Sequence, residues 1–572
     1  MPSSYEPGEV ARRLSADDLS LVDVRDRDEW EKAHVEGALH LPLDEFDQRA
    51  DELPRDRPVA FICRTGKRSE TASDHAAAQS LDAGNVTGGM EAWADAGLPV
   101  RRGDPAAWIF RQFTHDDLGC ASYLVGDEAA GVAAVVDPKL DIDEYLSVAR
   151  YLGVQIEHIL ETHNHADHVS GHGRLAAATG AAIHIHSYAE PDYDHEAFED
   201  GWELELGALR VRALHTPGHR PEHTAFLLVD TARGDEQPWA VLTGDTLFVG
   251  DVARPDLAVE KEEGAREIFR SLHSKLLSLP GEVEVWPGHL GGSMCGGPGM
   301  DMKVSSTIGF ERSHNPVLQI SDEDAFVEQA LASLGPQPPN FKNIVALNRG
   351  ELVCETVKAH PLAPRQVERT RAAGALLVDV RTELQFDEAH IPGSVCITML
   401  RAGFGTKLAW LADPEGDVVF IGRDDADGQR AAELAAAIGV HRVGGYLSGG
   451  MTAWREEACD VQRTGRMTVP ELHDAWQADE IQILDAREDS EWQSGHIPGS
   501  THTPYHDLDA PPGDVDPEQS LAVICASGQR AAVGASLAQR LGATDVRHVV
   551  DGGVPLWERK GWPTETPAGA AA

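Results

Sequence analysis

The chain has 572 residues, 42% of them hydrophobic and 25% charged, a length that suggests roughly four domains and a composition that excludes wholesale disorder. Acidic residues number 94 against 49 basic ones, for a formal net charge of -45, which argues against nucleic acid or an anionic membrane as partner. Only 10 of the 49 basic residues are Lys, and an acidic, lysine-poor surface suits a salt-rich cytoplasm, where self-repulsion is screened.

The opening MPSSYEPGEV has neither a basic n-region nor an apolar h-region, so no secretion signal is expected. No apolar run approaches the ~20 residues that span a bilayer. The seven cysteines, at 63, 120, 295, 354, 396, 459 and 525, are too few and too scattered for a disulfide framework. A soluble cytoplasmic protein with reduced thiols is expected; homo-oligomerisation is left open.

The first recognisable element is LVDVRDRDEWEKAHVEGALHLP from Leu21, an apolar strand-like run ending in Asp23, with Arg25 and His34 following. A second run, VAFIC, closes on Cys63, 40 residues after the Asp, and is followed by the helical RSETASDHAAAQSL and by GGMEAW ending at Trp93. The pattern returns twice. Asp379, Arg381 and His390 repeat the triplet, with GGMTAW ending at Trp454; Asp485, Arg487 and His496 repeat it again, with LAVIC closing on Cys525 and GGVPLW on Trp557. Short apolar runs alternating with Ala- and Leu-rich helices predict βα units around a parallel sheet. A Cys at a strand end, just before a helix, sits where backbone N–H groups stabilise a thiolate. In CRTGKRS, Arg64, Lys67 and Arg68 add positive charge; in CASGQRA only Arg530 does. The middle copy has Gly422 at the Cys position, in the longer and more acidic IGRDDADGQRA.

Between the first and second copies, residues 158–172 hold five His. ILETHNHADHVSG reads as a strand, then a loop carrying His163, His165, Asp167 and His168, and neighbouring imidazoles with a carboxylate make a metal site. HTPGH adds His219, LTGDTLF adds Asp245 and VWPGH adds His289, each after a β-like stretch and a Gly-containing turn. His158, His172, His184, His186 and His223 fall outside this constellation and are assigned to the surface. Cys295, in GHLGGSMCGGPGM, lies six residues after His289; a reactive thiol beside the metal and a small buried Cys in a Gly-rich turn are both open. Cys120, Cys354, Cys396 and Cys459 are assigned structural roles.

The repeated module resembles the rhodanese domain, in which a sulfur-carrying Cys starts a short loop ending in Arg. Four residues separate Cys from Arg in both loops, the length found in sulfurtransferases. The resemblance implies that Cys63 and Cys525 carry sulfane sulfur as persulfides, with Arg68 and Arg530 closing the loops and holding their charge. It also implies that the middle copy is inactive and serves packing or docking. The order H-x-H-x-D-H, TPGH, GD, GH resembles the metallo-β-lactamase fold, an αββα sandwich with metals at one edge. The same ligand set serves two reactions. Resemblance to persulfide dioxygenases, supported by Arg254 and Asp256 after the metal Asp and by the run from STIGFERSHNP to PQPPNF, implies one Fe(II) on His163, His219 and Asp245. His165, Asp167, His168 and His289 then form a second shell. Resemblance to glyoxalase II implies instead two Zn ions, the same residues as ligands of the second metal, and thioester hydrolysis.

The expected fold class is therefore multidomain α/β: one metallo-β-lactamase sandwich and three rhodanese-like domains with parallel sheets. The expected boundaries are 1–103, 104–358, 359–463 and 464–567, with a tail at 568–572. The expected activity is oxidation of a low-molecular-weight thiol persulfide by oxygen to sulfite, coupled to sulfur transfer involving thiosulfate or sulfite.

Overall fold

The computed structural model describes residues 3–566, apart from 17, 33, 36, 56, 80, 97, 99–107, 116–118, 232–236, 258–259, 292, 294, 298 and 401–402. The join expected at 103/104 and the tail at 568–572 lie outside the described residues.

Three five-stranded sheets share one topology. In the first, strands Ser3–Tyr5, Ala83–Val86, Val59–Ile62, Ser20–Asp23 and Leu39–His40 lie side by side in that order, all parallel. Sheets built on Val418–Ile421 and Leu521–Ile524 repeat it. Parallel strands need covering on both faces, which the helices supply: Lys67–Ala78 and Gln529–Arg540 follow the two Cys-bearing strands. Trp93, Trp454 and Trp557 are all buried.

The Asp–Arg–His triplet is a structural staple. Asp23, Asp379 and Asp485 are buried and each takes a bidentate ion pair from the Arg two residues on, at 2.6 to 2.9 Å. The His then bonds the carbonyl four residues back, Trp30, Phe386 or Trp492, and stacks on that ring at 3.7 or 3.8 Å.

The fourth unit is an αββα sandwich. Two six-stranded sheets, 109–198 and 203–307, face each other across Tyr123, Val125, Phe226, Leu228 and Leu242. Helices Asp143–Leu152 and His172–Thr179 cover one outer face, and Lys261–Ser274 and Glu323–Ala332 cover the other. Among the described residues no helix is long and apolar enough to cross a membrane.

The middle repeat packs between the sandwich and the third repeat. Val169 N–H, one residue past His168, donates to Ala437 O at 2.7 Å, and Leu140, Val169, Ile344, Ala436 and Ala437 form one apolar cluster. On the other side a continuous core runs from Phe420 and Ala432 to Val523 and Val533, and Asp387 receives His548 Nδ1–H at 2.9 Å.

Candidate metal centre and sulfur-carrier loops

Four strands deliver the metal-binding candidates to one edge of the sandwich. His163 follows Gln155–Leu160, His219 follows Leu209–His215, Asp245 follows Pro238–Gly244 and His289 follows Glu284–Pro287. His163, His219 and Asp245 are buried and offer ligand atoms that all lie within 4.8 Å of one another. Asp245 Oδ2 is 3.9 Å from His163 Nε2, 3.5 Å from His219 Nε2 and 3.3 Å from His289 Nε2. His163 Nε2, His219 Nε2 and both Asp245 oxygens take no hydrogen bond, nor do the two His165 ring nitrogens, Asp167 Oδ1 and His168 Nε2 beside them. Buried polar atoms without partners cost about 1–3 kcal/mol each, so their convergence fits a shared cation. Three further groups adjoin this one among the described residues, His165–Asp167–His168, Asp167–His289–Cys295 and Asp137–Glu161–His165.

The outer ring nitrogens are held so that the inner ones face the cluster. His219 Nδ1–H donates to Arg254 O at 3.0 Å, and His289 Nδ1–H donates to Gly119 O at 3.0 Å with Ser293 Oγ 2.8 Å away. His163 Nδ1 meets Thr162 Oγ1 at 2.9 Å, and that hydroxyl donates to Asp137 at 2.9 Å. Such partners fix the tautomer that leaves Nε2 as a ligand. Burial opposes ionisation of Asp167 and Asp245, but His168 and His289 outweigh it and hold both carboxyls well below their usual range. His165 Nε2 lies 3.2 Å from Asp137 and 3.5 Å from Glu161; burial opposes its charge, yet those carboxylates raise its pKa to about 9. Burial, aided by Asp167, pushes the Cys295 thiol up to about 12.

Gly288 leaves room for the metal Asp, because a Cβ there would stand 2.7 Å from Asp245 Oδ1.

Both sulfur-carrier loops wrap a buried thiol in amides. Cys63 Sγ accepts from Gly66 N at 3.2 Å, with Ser69 Oγ also at 3.2 Å; Cys525 Sγ accepts from Gly528 N at 3.1 Å and Ser527 N at 3.4 Å. Gly66 and Gly528 stand at φ +96° and +99°, left-handed conformations that favour Gly. Burial opposes the Cys63 thiolate, but bonds from Ser69, Thr65 and Gly66 outweigh it and hold its pKa below the ordinary value.

Residues 115–289 match the metallo-beta-lactamase superfamily, and residues 6–96, 363–457 and 468–560 match the rhodanese-like domain. A probable metallo-hydrolase of Burkholderia pseudomallei is 32% identical over 202 residues, covering 29% of this chain and 67% of the relative. The chain belongs to the metallo-beta-lactamase superfamily. It carries three rhodanese-like domains beside its metallo-beta-lactamase domain. Human mitochondrial persulfide dioxygenase ETHE1 is 27% identical over 229 residues, covering 40% of this chain and 82% of the relative. A hydroxyacylglutathione hydrolase of Rhodospirillum rubrum is 35% identical over 170 residues, covering 29% and 60%. A solved metallo-beta-lactamase from Staphylococcus aureus has a TM-score of 0.53 at 29% identity, covering 60% of this chain and 98% of that one.

Some residues lie where the motifs did not put them. His172, His184, His186 and His223 are buried and His158 is half-buried, not on the surface. His223 lies inside the metallo-beta-lactamase site: its Nε2 accepts from Asp245 N at 2.8 Å, and its Nδ1 side meets Thr216 and Thr246 hydroxyls at 2.9 Å. Cys354 is exposed. Arg68 and Arg530 are both ion-paired. Arg68 is bidentate to Glu29 at 2.7 and 2.9 Å, and Arg530 pairs with Glu491 at 2.7 Å, so each clamps its loop to the preceding helix. In the middle rhodanese-like domain, a Cβ on Gly422 would stand 2.5 Å from Asp427 Cβ. Asp427 fills that space, paired with Arg423 at 2.7 Å.

Motif reading missed Asn348. Its Nδ2 donates to His165 O at 3.0 Å and His168 O at 2.8 Å, and its Oδ1 accepts from Ser170 N at 2.8 Å, cradling the metal loop from helix Phe341–Arg349.

Proposed function

We propose that the metallo-beta-lactamase domain is a persulfide dioxygenase holding one Fe(II) on His163, His219 and Asp245, and that Cys63 and Cys525 carry sulfane sulfur. The observation carrying this reading is the unpaired convergence of His163 Nε2, His219 Nε2 and the Asp245 carboxylate in a chain that also holds two amide-wrapped thiols. Two imidazoles and one carboxylate are a donor set that would suit Fe(II) and its oxygen chemistry. Iron held there supplies oxygen chemistry at the outer sulfur, with the balance RSSH + O2 + H2O → RSH + SO3²⁻ + 2 H⁺.

The chain's own groups orient and exclude. Arg254 O and Gly119 O fix two rings, and His223 holds the Asp245 backbone. Burial of the cluster keeps bulk water from it. In this reading Cys295, whose thiol lies near Asp167 and His289, would hold a persulfide. At the rhodanese-like loops a Cys thiolate attacks the outer sulfur of thiosulfate, the S–S bond breaks, and sulfite leaves with its electron pair. The low-molecular-weight persulfide, oxygen, thiosulfate and sulfite are thus the small-molecule partners.

A second reading, a binuclear zinc thioester hydrolase, is favoured by the His165–Asp167–His168 group. The first is favoured by the two amide-wrapped thiols that share the chain with the metal site. Metal analysis of the purified full chain separates them: one iron per chain is expected, and two zincs would contradict the dioxygenase.

A further inference from the structure

The two sulfur-carrier loops differ in charge. The Cys63 loop has Arg64, Lys67 and Ser69 where the Cys525 loop has Ala526, Gln529 and Ala531. Arg64 is itself paired with Glu91 at 3.0 Å, so the third domain lacks chiefly the Lys67 cation and the Ser69 hydroxyl from its own loop. Its Arg530 does not replace them, because its guanidinium pairs with Glu491.

A neighbouring domain brings a cation to this place. Lys407 lies on helix Phe404–Leu411 of the middle rhodanese-like domain, the copy whose own loop holds Gly422. It lines a cavity of about 600 Å³ together with Ser527, Gln529 and Arg530 of the Cys525 loop. Its amine donates to Gly403 O at 3.2 Å and, among the described residues, meets no carboxylate at ion-pairing distance. The acids on the cavity wall are matched elsewhere, Glu491 by Arg530 and Glu488 by His506 at 2.9 Å. Burial and the Arg530 charge lower the Lys407 amine to about 8, while Cys525, Glu383 and Cys396 act to raise it. A cation without a carboxylate at ion-pairing distance, on a cavity wall shared with the loop that carries Cys525, suits an anionic ligand.

The third wall belongs to the metallo-beta-lactamase domain, through Arg254, Ser293 and Met300. Two of these touch the metal cluster's imidazoles: Arg254 O accepts from His219, and Ser293 Oγ lies beside His289 Nδ1.

We propose that the middle domain, though without a nucleophile, completes the Cys525 site: Lys407 holds a small sulfur oxyanion, sulfite or the sulfonate end of thiosulfate, over Cys525. This rests on the reading of Cys525 as a sulfur carrier. The site then runs sulfite attack on the persulfide. The sulfite lone pair takes the outer sulfur, the bond to Cys525 breaks, and its electron pair stays on Cys525 as thiolate while thiosulfate departs. No proton or oxidant is consumed.

The test uses the full chain with Cys63→Ala, so that Cys525 is the remaining carrier, and measures thiosulfate-to-cyanide sulfur transfer. Lys407→Gln is expected to raise KM for thiosulfate by about tenfold, the scale of one charge-assisted hydrogen bond, with kcat little changed; Lys407→Arg restores it. An unchanged KM overturns the proposal. A second readout is the ratio of Cys525 alkylation rates with iodoacetate and iodoacetamide, followed on the Cys525 peptide. Lys407→Gln lowers this ratio severalfold if the amine attracts anions, and an unchanged ratio contradicts it. If the Cys63→Ala parent transfers no sulfur, the reading of Cys525 as carrier fails instead, and the alkylation ratio still decides Lys407.

Discussion

Ser69 shows how one hydroxyl separates two otherwise similar cysteines. It stands 3.2 Å from Cys63 Sγ, whereas the matching position beside Cys525 is Ala531. Bonds to the charged form favour it, so the Cys63 thiolate persists to lower pH than a free thiol. The midpoint of iodoacetamide labelling at Cys63, followed by peptide mass in a Cys525→Ala chain, is expected below the ordinary thiol value. Ser69→Ala removes the chief stabilising bond while burial remains, so the midpoint moves up; an unmoved midpoint would show that the amides alone do this work. At this scale the sequence located the side chains that converge on the cluster and the two thiols at their strand ends, because H-x-H-x-D-H, GD, GH and C-x-x-G-x-R are local spacings. It was silent about Asn348, which reaches His165 O from 183 residues away, and about Lys407, which serves a loop of another domain. A lone Asn or Lys on a helix has no local signature. His223 was misplaced for a related reason: its role is to accept a backbone N–H 22 residues on.

The repeated βα element explains why three copies share so much sequence and so little chemistry. The recurring Asp, Arg and His are buried staples in every copy, and losing one partner of such a pair costs about 3–5 kcal/mol. Their repetition therefore reports the fold, whichever loop it carries. The parallel sheets were legible because strand and helix periodicities alternate cleanly around them. The middle loop was legible only in part: Gly422 announces a missing thiol, but not that Asp427 and Arg423 occupy the vacated space. Restoring the nucleophile should therefore fail. Gly422→Cys in a chain carrying Cys63→Ala and Cys525→Ala is expected to transfer no sulfur from thiosulfate, since the new Cβ meets Asp427 at 2.5 Å. Measurable transfer would show that the loop re-forms around a Cys.

Across the whole molecule, the middle domain joins the two chemistries. One side steadies the metal loop through the Val169–Ala437 bond, and the other presents Lys407 to a cavity it shares with Ser527, Gln529 and Arg530 of the Cys525 loop. The net charge of -45 describes the solvent-facing body, while the sites gather local charge of their own: carboxylates around the metal cluster, cations and amides around the thiols. The length suggested about four equal units; the sheets divide instead into three small parallel ones and one two-sheet sandwich, a difference that only the repeat spacing foreshadowed. The central claim is that the metal cluster oxidises a persulfide. Oxygen uptake by the iron-loaded full chain with glutathione persulfide tests it most directly. The account predicts one oxygen consumed per sulfite equivalent released, counting thiosulfate with sulfite. Absence of uptake, together with cleavage of a glutathione thioester by the zinc-loaded chain, would contradict it.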